Sequence, residues 1–368
     1  MILNRLNIIN YKNIAEADIE FAPKVNCLIG NNGMGKTNVL DAVYYLSMCK
    51  SHTGQPDGTV LTHGSDFMML QGHYTRHKVE EDITVSLQRG KRKVMRRGTK
   101  EYKRLSQHIG LMPVVMVSPA DVDLIQGSSE VRRRFVDTSI SQGNSEYLSM
   151  LIRYNKALEQ RNTMLRNELR DPLLYESVEQ MMVGAAEVIH RERSQWVQRF
   201  IPLFTRYYNS IAGNDEAVTI DYNSHLNEST LAVELEQTRE RDLLLGYTTR
   251  GIHRDDLVLN LSDFPMRQTA SQGQSKTYTV ALRLAQFEYM LDCCSATPLL
   301  LLDDIFDRLD ASRVENIIRV VSGNNFGQIF ITDTNREHLD TIMSRLEGDH
   351  LMMRVESGFV RPLKSNER

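Results

Sequence analysis

Apolar residues in the first 117 positions occur in short runs, and clusters of Gly, Asp and Lys separate these runs. This pattern is typical of β-strands joined by turns. We expect strands at residues 17–21, 25–29, 67–74, 81–87 and 113–118. One segment differs, because Val39, Ala42, Val43 and Leu46 recur at the i, i+3, i+4, i+7 spacing of a single helix face. The first third of the chain is therefore predicted to be strand-rich, with a helix directly after residues 30–37.

The pattern becomes helical from about Asp121 to Ala212. Residues 146–170 and 173–208 are long, charged and amphipathic, and Pro172 lies between them, as a proline can between antiparallel helices. The chain then returns to strands, which we expect at residues 218–222, 256–261, 298–302 and 328–332, with a helix at 274–291. This order predicts an α/β fold in which a discontinuous core, residues 1–120 and 213–368, is interrupted by a helical arm at 121–212.

Residues 30–37, GNNGMGKT, fill the space between the strand at 25–29 and the helix that follows it. They fit G-x-x-x-x-G-K-[ST], whose glycines let the backbone N–H groups turn inward around the β- and γ-phosphates of a nucleotide. Lys36 would add a positive charge, and Thr37 a hydroxyl for Mg²⁺. A chance match is disfavoured because strand, loop and helix are in register. The predicted phosphate-binding residues are Gly30, Asn31, Asn32, Gly33, Met34, Gly35, Lys36 and Thr37.

A second apolar strand, Leu299 to Leu302, ends in Asp303 and Asp304. An acidic residue in this position can hold Mg²⁺ beside a nucleotide, and the next carboxylate can orient an attacking water. A buried strand followed by a solvated acidic turn would have the same sequence, but the P-loop disfavours that alternative. We therefore expect Thr37 and Asp303 to bind Mg²⁺.

Residues 271–276, SQGQSK, lie at the start of the predicted helix at 274–291. A Ser-x-Gly-Gln turn at a helix start offers backbone N–H groups, a hydroxyl and the positive end of the helix dipole to an anion. The same residues could form an ordinary N-terminal cap. Ser271, Gly273 and Gln274 are therefore candidates for contact with a nucleotide phosphate.

The composition is that of an ordinary globular protein, with 41% hydrophobic and 25% charged residues among 368. No run is long enough to span a membrane, and the N-terminus lacks the features of a secretory signal, so we expect a cytoplasmic protein. The four cysteines, Cys27, Cys49, Cys293 and Cys294, show no C-x-x-C spacing. They are predicted to be small hydrophobic residues in a reducing compartment, not a disulfide framework or a zinc site.

Positive charge is concentrated in residues 89–104, which carry nine basic residues and one acid in a protein whose net charge is -3. Such a cluster is typical of contact with the phosphate backbone of a nucleic acid, although a solvated hairpin could look the same. The segment has one tyrosine, so base stacking is not the expected mode. The candidate DNA-binding residues are Arg89, Lys91, Arg92, Lys93, Arg96 and Arg97.

Three other features favour structural roles. The run Arg132, Arg133 and Arg134 could face DNA, but pairing with acids of neighbouring helices is the preferred interpretation. Trp196 lies among apolar helical positions and is expected in the core. His253 has no second His or Cys nearby, so a hydrogen-bonded turn is favoured over a metal site.

The order of P-loop, SQGQ turn and acidic strand resembles that of ABC-type ATPases. In that family the signature motif of one subunit closes over the γ-phosphate bound to the P-loop of a second subunit. Ser271, Gly273 and Gln274 match the signature, and Leu309 and Asp310 match the short motif that lies at the dimer interface. Lys36 and Asp303 are 267 residues apart, which is more than a transporter subunit needs. The helical stretch of roughly 90 residues also lacks the sustained heptads of long coiled-coil relatives.

The whole chain resembles the RecF family of bacterial recombination and gap-repair ATPases. The segments that carry the resemblance are LNIINYKN, GNNGMGKTNVLDAVYYLSMCKSH, VSPADVDLIQGSSEVRRRFVD, GIHRDDL, SQGQSKT, PLLLLDDIFDRLD and QIFIT, in this order. The resemblance implies an ABC-type P-loop ATPase head with mixed sheets. It also implies ATP and Mg²⁺ as cofactors and an ATP-dependent homodimer that binds single-strand/double-strand DNA junctions. Slow, DNA-stimulated hydrolysis and cooperation with RecR and RecO in loading RecA complete the implied function.

Residue roles carried over from the family put phosphate at Gly30 through Thr37, Mg²⁺ at Asp303, catalysis at Asp304 and Lys36, and the partner's γ-phosphate at Ser271. Three positions depart from the family's pattern: Ile252, where proline is common, Thr53, where arginine is frequent, and Asp333, which stands where ABC transporters have a histidine switch. A histidine sensor of the γ-phosphate is therefore not expected.

Two alternative functions are compatible with the P-loop. One is a small-molecule phosphotransferase, which has no use for Ser271 or for the basic segment. The other is the ATPase subunit of a transporter, which would require a membrane partner. Turnover that responds to DNA and not to a metabolite would separate these alternatives from the ATP-operated DNA-binding protein.

Overall fold

The computed structural model of the chain describes residues 1–213, 216–262, 264–306, 309–323, 326–345 and 349–363. Its strands are β1 (Ile2–Tyr11), β2 (Ile14–Glu20), β3 (Val25–Ile29), β4 (Phe67–Arg76), β5 (Val79–Gln88), β6 (Val94–Arg97), β7 (Lys100–Glu101), β8 (Val114–Val117), β9 (Val218–Asn223), β10 (Asp256–Leu261), β11 (Phe264–Pro265), β12 (Leu299–Asp303), β13 (Ile329–Asp333), β14 (His350–Glu356) and β15 (Phe359–Pro362). Its helices are α1 (Lys36–Met48), α2 (Asp123–Gln126), α3 (Ser129–Gly143), α4 (Ser145–Arg166), α5 (Pro172–Ala212), α6 (Leu231–Leu245), α7 (Met266–Thr269), α8 (Gln272–Cys293), α9 (Ala311–Val321) and α10 (Arg336–Arg345).

Within the described ranges the strands form three sheets. The central sheet has the order β15-β14-β3-β13-β12-β8, in which β15 is antiparallel to β14 and the other neighbours are parallel. A second, antiparallel sheet has the order β2-β1-β4-β5-β6-β7, and a small antiparallel sheet has the order β11-β10-β9. The predicted α/β class with mixed sheets is confirmed.

The central sheet is buried on both faces, in agreement with the continuous apolar sequences of its inner strands. All five residues of β12 are buried, as are all five of β3. Leu299 and Leu301 share a core with α1 and the antiparallel sheet, whereas Leu300 and Leu302 share a core with α5 and α8. Because side chains alternate across a strand, continuous apolar runs can serve both cores. The sheet is therefore the middle layer of the fold.

Helix α5 connects the helical region to this middle layer. The indole of Trp196 stacks on the ring of Phe200 with centroids 4.2 Å apart, and Phe204 packs edge-on against Tyr278 of α8 at 4.7 Å. Trp196 is 1% exposed, which confirms its predicted place in the core. Residues 121–212 are helical as predicted, but their core is continuous with that of the central sheet. The boundary of a separate arm at 121–212 stays a prediction.

A buried ion pair network ties α4, α5 and α6 together farther along the helical region. The guanidinium of Arg161, fully buried, donates to Glu179 at 2.9 Å, to Asp242 at 2.7 Å and to the hydroxyl of Thr248 at 2.8 Å. A buried charge needs partners of this kind, because its desolvation is otherwise uncompensated. The network fixes the relative positions of the three helices.

The predicted strands and helices are all present, with shifts at their ends. The elements that were not predicted include β1, the short strands β6, β7 and β11, the C-terminal hairpin of β14 and β15, and the helices α6, α9 and α10. The hairpin matters most, because β14 pairs with all five residues of β3 and so lies beside the P-loop.

The four cysteines are free, as predicted. No helix in the described part of the chain combines the length and the apolar character needed to cross a membrane. His253 forms the predicted hydrogen-bonded turn: its imidazole contacts the hydroxyl of Tyr154 at 2.8 Å and the carbonyl of Thr248 at 3.0 Å.

Two buried histidines predict a loss of stability in acid. Burial lowers the pKa of His108 to about 4, and burial likewise lowers the pKa of His253 to about 4. An unfolded histidine titrates near pH ~6.5, so the unfolded chain binds more protons than the folded chain between pH ~6.5 and ~4. The contribution of the two neutral histidines to the free energy of unfolding is therefore fully present above this window, and it is lost as the pH falls through the window. We expect each histidine to lower the free energy of unfolding by up to about 3 kcal/mol across the window.

Urea unfolding at several pH values measures this loss. A His108→Gln variant should show a shallower fall in unfolding free energy between neutral pH and pH ~4.5, whereas His63→Gln, at an exposed histidine, should match the wild type. Identical pH dependence in His108→Gln and the wild type would rule out this origin of acid sensitivity.

Candidate functional site

The carboxyl ends of β3, β13 and β12 meet at one edge of the central sheet. Ile29 pairs with Asp333, and Thr332 pairs with Asp303, in a continuous parallel register. In open parallel sheets this edge is where ligands bind. The fold therefore brings the P-loop and the acidic strand together, although they lie at opposite ends of the chain.

Two glycines of the P-loop are required by its surroundings. A Cβ at Gly30 would lie 2.3 Å from the carbonyl oxygen of Val355 in β14, so a larger residue would clash with backbone. Gly35 has a φ of 111°, in the region that favours glycine, and it caps the start of α1. The loop consequently turns tightly onto the N-terminus of α1, where unpaired backbone N–H groups and the helix dipole favour a phosphate.

Lys36 is held inside this loop. Its side chain is 4% exposed, and its ammonium donates to the carbonyl of Gly30 at 2.8 Å and to that of Asn31 at 3.2 Å. An ammonium has three donors, so one remains for a phosphate oxygen. The loop carbonyls thus orient the lysine before any nucleotide binds.

The hydroxyl of Thr37 lies against the carboxylate of Asp303, at 2.8 Å from Oδ1 and 2.9 Å from Oδ2. Thr332 donates to Oδ1 of the same carboxylate at 2.8 Å. Burial raises the pKa of the Asp303 carboxyl, and the hydrogen bonds from Thr332 and Thr37 oppose this shift. A hydroxyl and a carboxylate side by side are the oxygen ligands that Mg²⁺ prefers. The donor set therefore fits the predicted metal at Thr37 and Asp303.

Asp304 occupies an unusual backbone position at the end of β12. Its φ is 44°, which is uncommon for a residue with a side chain. Its N–H donates to the hydroxyl of Thr332 at 3.0 Å, and its carbonyl accepts from the ammonium of Lys276 at 3.5 Å. Backbone strain of this kind persists where the surroundings hold it in place, and it is frequent at functional sites. The chain therefore turns sharply directly after Asp303.

A cavity of about 560 Å³ opens beside these residues. It is lined by Asn32 of the P-loop, by Asp304, Asp333 and Thr334 after the two strands, by residues following β8, and by the start of α8. Asp333, at the position of the transporter histidine switch, is thus a wall of the cavity that adjoins the phosphate loop. The cavity has room for a terminal phosphate and for water.

The SQGQ turn caps α8, and its first residue, Ser271, is exposed to solvent. Gln274 N donates to the hydroxyl of Ser271 at 3.1 Å, and Ser271 N donates to the side chain of Gln274 at 3.1 Å, which is a capping box. Ser271 is exposed, and no hydrogen bond between described residues joins it to the P-loop. Ser275 and Lys276, one turn later, line the cavity. The first turns of α8 therefore line the cavity of their own chain, whereas Ser271 does not.

Gly273 lies next to the segment that matches the interface motif. A Cβ at Gly273 would lie 2.5 Å from the guanidinium of Arg313, and that guanidinium pairs with Asp310 at 3.3 Å. The signature-like turn and Asp310 are therefore neighbours on the surface. Contact between Ser271, Gly273 or Gln274 and a nucleotide stays a prediction.

Sequence reasoning missed three residues of the site. Thr332 binds both the Asp303 carboxylate and the Asp304 N–H, Asn13 contacts the P-loop carbonyl of Gly33 at 3.3 Å, and Lys276 reaches the carbonyl of Asp304. A signal existed for Thr332 alone, because it ends an apolar strand in the same way that Asp303 does.

The basic segment lies around β6 and β7 at the edge of the antiparallel sheet. Lys91, Arg92 and Arg96 are exposed, Arg89 pairs with Asp66 at 3.0 Å, and Arg97 pairs with Glu81 at 2.8 Å.

Lys93 departs from the other candidates in this segment. Its side chain is 10% exposed, and its ammonium pairs with Asp57 at 2.8 Å and bonds the hydroxyl of Tyr45 at 3.0 Å. Because the ammonium of Lys93 is held by Asp57 and Tyr45, it is not exposed for contact with DNA. We therefore remove Lys93 from the DNA-binding candidates.

The three arginines at the start of α3 are engaged with protein groups, in agreement with the preferred interpretation. Arg132 makes two hydrogen bonds to Asp256, at 2.7 and 2.9 Å. Arg133 donates to the carbonyl of Asp255 at 2.6 Å, and Arg134 pairs with Glu130 at 2.9 Å.

Comparison with known proteins is consistent with this geometry. The family model described as the RecF/RecN/SMC N terminal domain matches residues 2–349. The DNA replication and repair protein RecF of Parabacteroides distasonis is 50% identical over 364 residues, which cover 99% of this chain and 100% of that protein. The protein of the same name from Bacteroides fragilis is 50% identical over 372 residues and is covered completely, as is this chain.

Solved structures resemble the fold over nearly its whole length. The structure of the recombination mediator protein RecF-ATP in the RecFOR pathway is 26% identical, with a TM-score of 0.88 and coverage of 99% of this chain and 98% of that chain. The RecF-ATPrS structure is 25% identical, with a TM-score of 0.86 and 98% of both chains covered. The Smc head bound to the C-winged helix domain of ScpA is 12% identical, with a TM-score of 0.61 and coverage of 100% and 98%, and so resembles the fold alone. These similarities confirm the predicted ABC-type head.

Proposed function

The chain belongs to the RecF branch of the RecF/RecN/SMC N-terminal domain family, and we propose that it is an ATP-dependent DNA-binding protein of recombinational and gap repair. The observation that carries this proposal is the contact between Thr37 and Asp303, 266 residues apart, together with the position of Ser271, which is exposed and does not line the adjoining cavity of its own chain. The family membership and that contact together support an ATP site that a second subunit completes. A cytoplasmic location is part of the proposal.

In this proposal the P-loop holds the phosphates of ATP. The backbone N–H groups of the loop and the first turn of α1 surround the β- and γ-phosphates, and Lys36 supplies a positive charge. Thr37 and Asp303 hold Mg²⁺, which neutralises charge on the transferred phosphate when it is bound. The relatives with solved structures were described with ATP or an ATP analogue, which supports ATP as the nucleotide.

Hydrolysis is assigned to Asp304. Its carboxylate follows the metal-binding residue and lines the cavity, where it can accept a hydrogen bond from a water and orient that water toward the γ-phosphate. Lys36 stabilises the charge that develops on the phosphate oxygens. We infer slow turnover in a single chain, because Ser271, which would contact the γ-phosphate, does not line the cavity of its own chain.

A homodimer completes the site. Ser271 of one subunit would meet the γ-phosphate bound by Lys36 of the other, so that each ATP is shared by two chains. Because the same contacts bind ATP and join the subunits, ATP affinity and dimerisation must be coupled. Two closed sites would form around one symmetry axis.

DNA is assigned to the exposed cations of the basic segment, Lys91, Arg92 and Arg96, with Arg89 and Arg97 at its sides. Contacts with phosphates position a protein without reading sequence, which suits recognition of a single-strand/double-strand junction. Cooperation with RecR and RecO in loading RecA is part of the proposal, and the RecFOR pathway named for the relatives supports it. Lys93 is left out of this surface because it is buried.

Replacing Lys91, Arg92 and Arg96 together with alanine should weaken binding of a gapped duplex by roughly 10- to 100-fold. The slope of log affinity against log salt concentration should become shallower by about 3, since each lost phosphate contact contributes roughly 0.9. Fluorescence anisotropy across a salt series measures both quantities. The matched control removes three exposed cations of the helical region, Arg153, Lys156 and Arg170, and should leave the slope unchanged.

ATP turnover measured with and without the gapped duplex tests the function itself. Stimulation by DNA that is lost in the basic-segment variant would support the proposal. An equal loss of affinity for DNA in the control variant would contradict the assignment of DNA binding to the basic segment. Stimulation by a metabolite in place of DNA would favour a phosphotransferase.

A further inference from the structure

A second cavity, of about 470 Å³, lies between the end of α1 and the helices α3 and α4. Its walls include Lys50, Arg133, Arg134 and His253. Helix α1 has 13 residues, so its two ends are separated by about 20 Å. Because the P-loop is at the start of α1 and the cavity is at its end, the cavity is distinct from the ATP site.

Three of the segments that marked the chain's resemblance to its family converge here: CKSH at the end of α1, VRRRFVD in α3 and GIHRDDL before β10. The ATP site uses none of them. Residues from distant parts of the chain that meet around a cavity, and that carry several charges, indicate a binding site.

Among the described residues that line the cavity, four are cations and two are carboxylates. The carboxylate of Asp137 is already occupied, because Arg193 pairs with it at 2.9 Å and the hydroxyl of Tyr147 donates to it at 2.5 Å. Arg193 also pairs with Asp255 at 2.7 Å, so its charge is neutralised within the protein. His253 adds no charge, since burial lowers its pKa to about 4 and it is neutral near pH ~7.

The remaining cations are poorly compensated. Arg133 donates to a neutral carbonyl, that of Asp255, and burial together with the charge of Arg193 lowers the pKa of its guanidinium. Burial and the charge of Arg134 also lower the pKa of the Lys50 amine. The carboxylate that pairs with Arg134, Glu130, is exposed, so solvent screens the pair. An anion in the cavity would relieve this repulsion.

We propose that the cavity formed by Lys50, Arg133 and Arg134 binds a phosphomonoester dianion. Its volume exceeds that of one phosphate and admits an attached nucleoside, within the usual range for small-ligand sites of roughly 300–1,000 Å³. The phosphomonoester is either the terminal phosphate of a DNA strand or that of a free small molecule. The DNA source rests on the proposed function above, whereas binding of inorganic phosphate does not.

Titration calorimetry with inorganic phosphate tests the cavity directly. The full chain is first saturated with ADP and Mg²⁺, so that the P-loop is occupied. We expect phosphate affinity to fall at least 10-fold in Lys50→Gln and in Arg134→Gln, because both side chains line the cavity and neither belongs to the buried ion pairs of Arg193. Lys78→Gln, at an exposed lysine outside both the cavity and the basic segment, is the matched control and should bind as the wild type does. Equal phosphate binding in Lys50→Gln and Lys78→Gln would overturn the proposal.

A second measurement distinguishes the two sources. Anisotropy compares gapped duplexes that carry a terminal phosphate with duplexes that end in hydroxyls. A preference for the phosphate end that disappears in Lys50→Gln identifies the DNA terminus as the ligand. No preference, with inorganic phosphate still bound, identifies a free phosphorylated molecule. If the duplexes do not bind at all while phosphate binding persists, the proposed function fails and the phosphate site stands. If Lys50→Gln changes neither measurement, the site itself is refuted.

Discussion

Replacing Lys36 with alanine is expected to abolish ATP binding at working nucleotide concentrations. The ammonium is buried in the P-loop and already oriented by the carbonyls of Gly30 and Asn31, so its binding geometry requires little rearrangement. A charged hydrogen bond contributes about 1.5–3 kcal/mol, and Lys36 has one ammonium donor left for a phosphate oxygen. Losing this bond corresponds to an affinity roughly 10- to 150-fold lower. Equilibrium binding of a fluorescent ATP analogue measures the change.

Lys91→Ala is the matched control for this prediction, because it removes the same charge from an exposed position of the basic segment. It should retain ATP affinity. Thermal unfolding of both variants without nucleotide checks that Lys36→Ala still folds. Unchanged ATP affinity in a folded Lys36→Ala protein would remove the P-loop from the proposed mechanism.

The P-loop and the acidic strand could be predicted because their signals are local. Fixed spacing identifies the loop, and a run of four leucines ending in Asp303 identifies a buried strand with a polar terminus. The strand before the P-loop, β3, and the acidic strand, β12, are both buried on both faces. Such strands have continuous apolar sequences that are easily recognised. The same reasoning gave the helical region, whose amphipathic pattern runs over many turns.

The parts that sequence reasoning missed depend on register and on neighbours. Thr332 reaches Asp303 only because β12 and β13 pair in one particular register, and a shift by one residue would turn Thr332 to the other face. The requirement for glycine at position 30 comes from Val355, which lies in a strand that was not predicted. Neither relation can be read from either segment alone.

Lys93 shows the limit of an argument from charge. The segment 89–104 counts as nine basic residues and one acid, but burial turns Lys93 inward onto Asp57 and Tyr45. The other eight basic residues of the segment are exposed. The useful quantity is the exposed charge, to which Lys93 does not contribute.

Ser271 presents the strongest test of a shared site, because two inactive variants should restore each other. Lys36→Ala chains cannot bind ATP, and Ser271→Arg chains should place a bulky charged side chain where the second subunit closes. A mixed dimer contains one site built from Lys36 of one chain and Ser271 of the other. With random pairing we expect about a quarter of wild-type ATP turnover from an equal mixture, against almost none from either variant alone. Steady-state turnover as a function of the mixing ratio measures this recovery.

Thr230→Arg is the matched control, because Thr230 caps α6 in the way that Ser271 caps α8, but α6 packs against α4 and α5. It should lose about 1 kcal/mol of stability through its missing cap and keep full turnover. A hydrolysis-deficient Asp304→Asn chain supplies the structural counterpart: light scattering should show it dimeric with ATP, and monomeric when Ser271→Arg is added. If the mixture stays inactive, or if Asp304→Asn remains monomeric with saturating ATP, the SQGQ turn acts only as a helix cap. Recovery in the mixture, by contrast, requires that one chain supplies Lys36 and another supplies Ser271, since no single chain in it carries both.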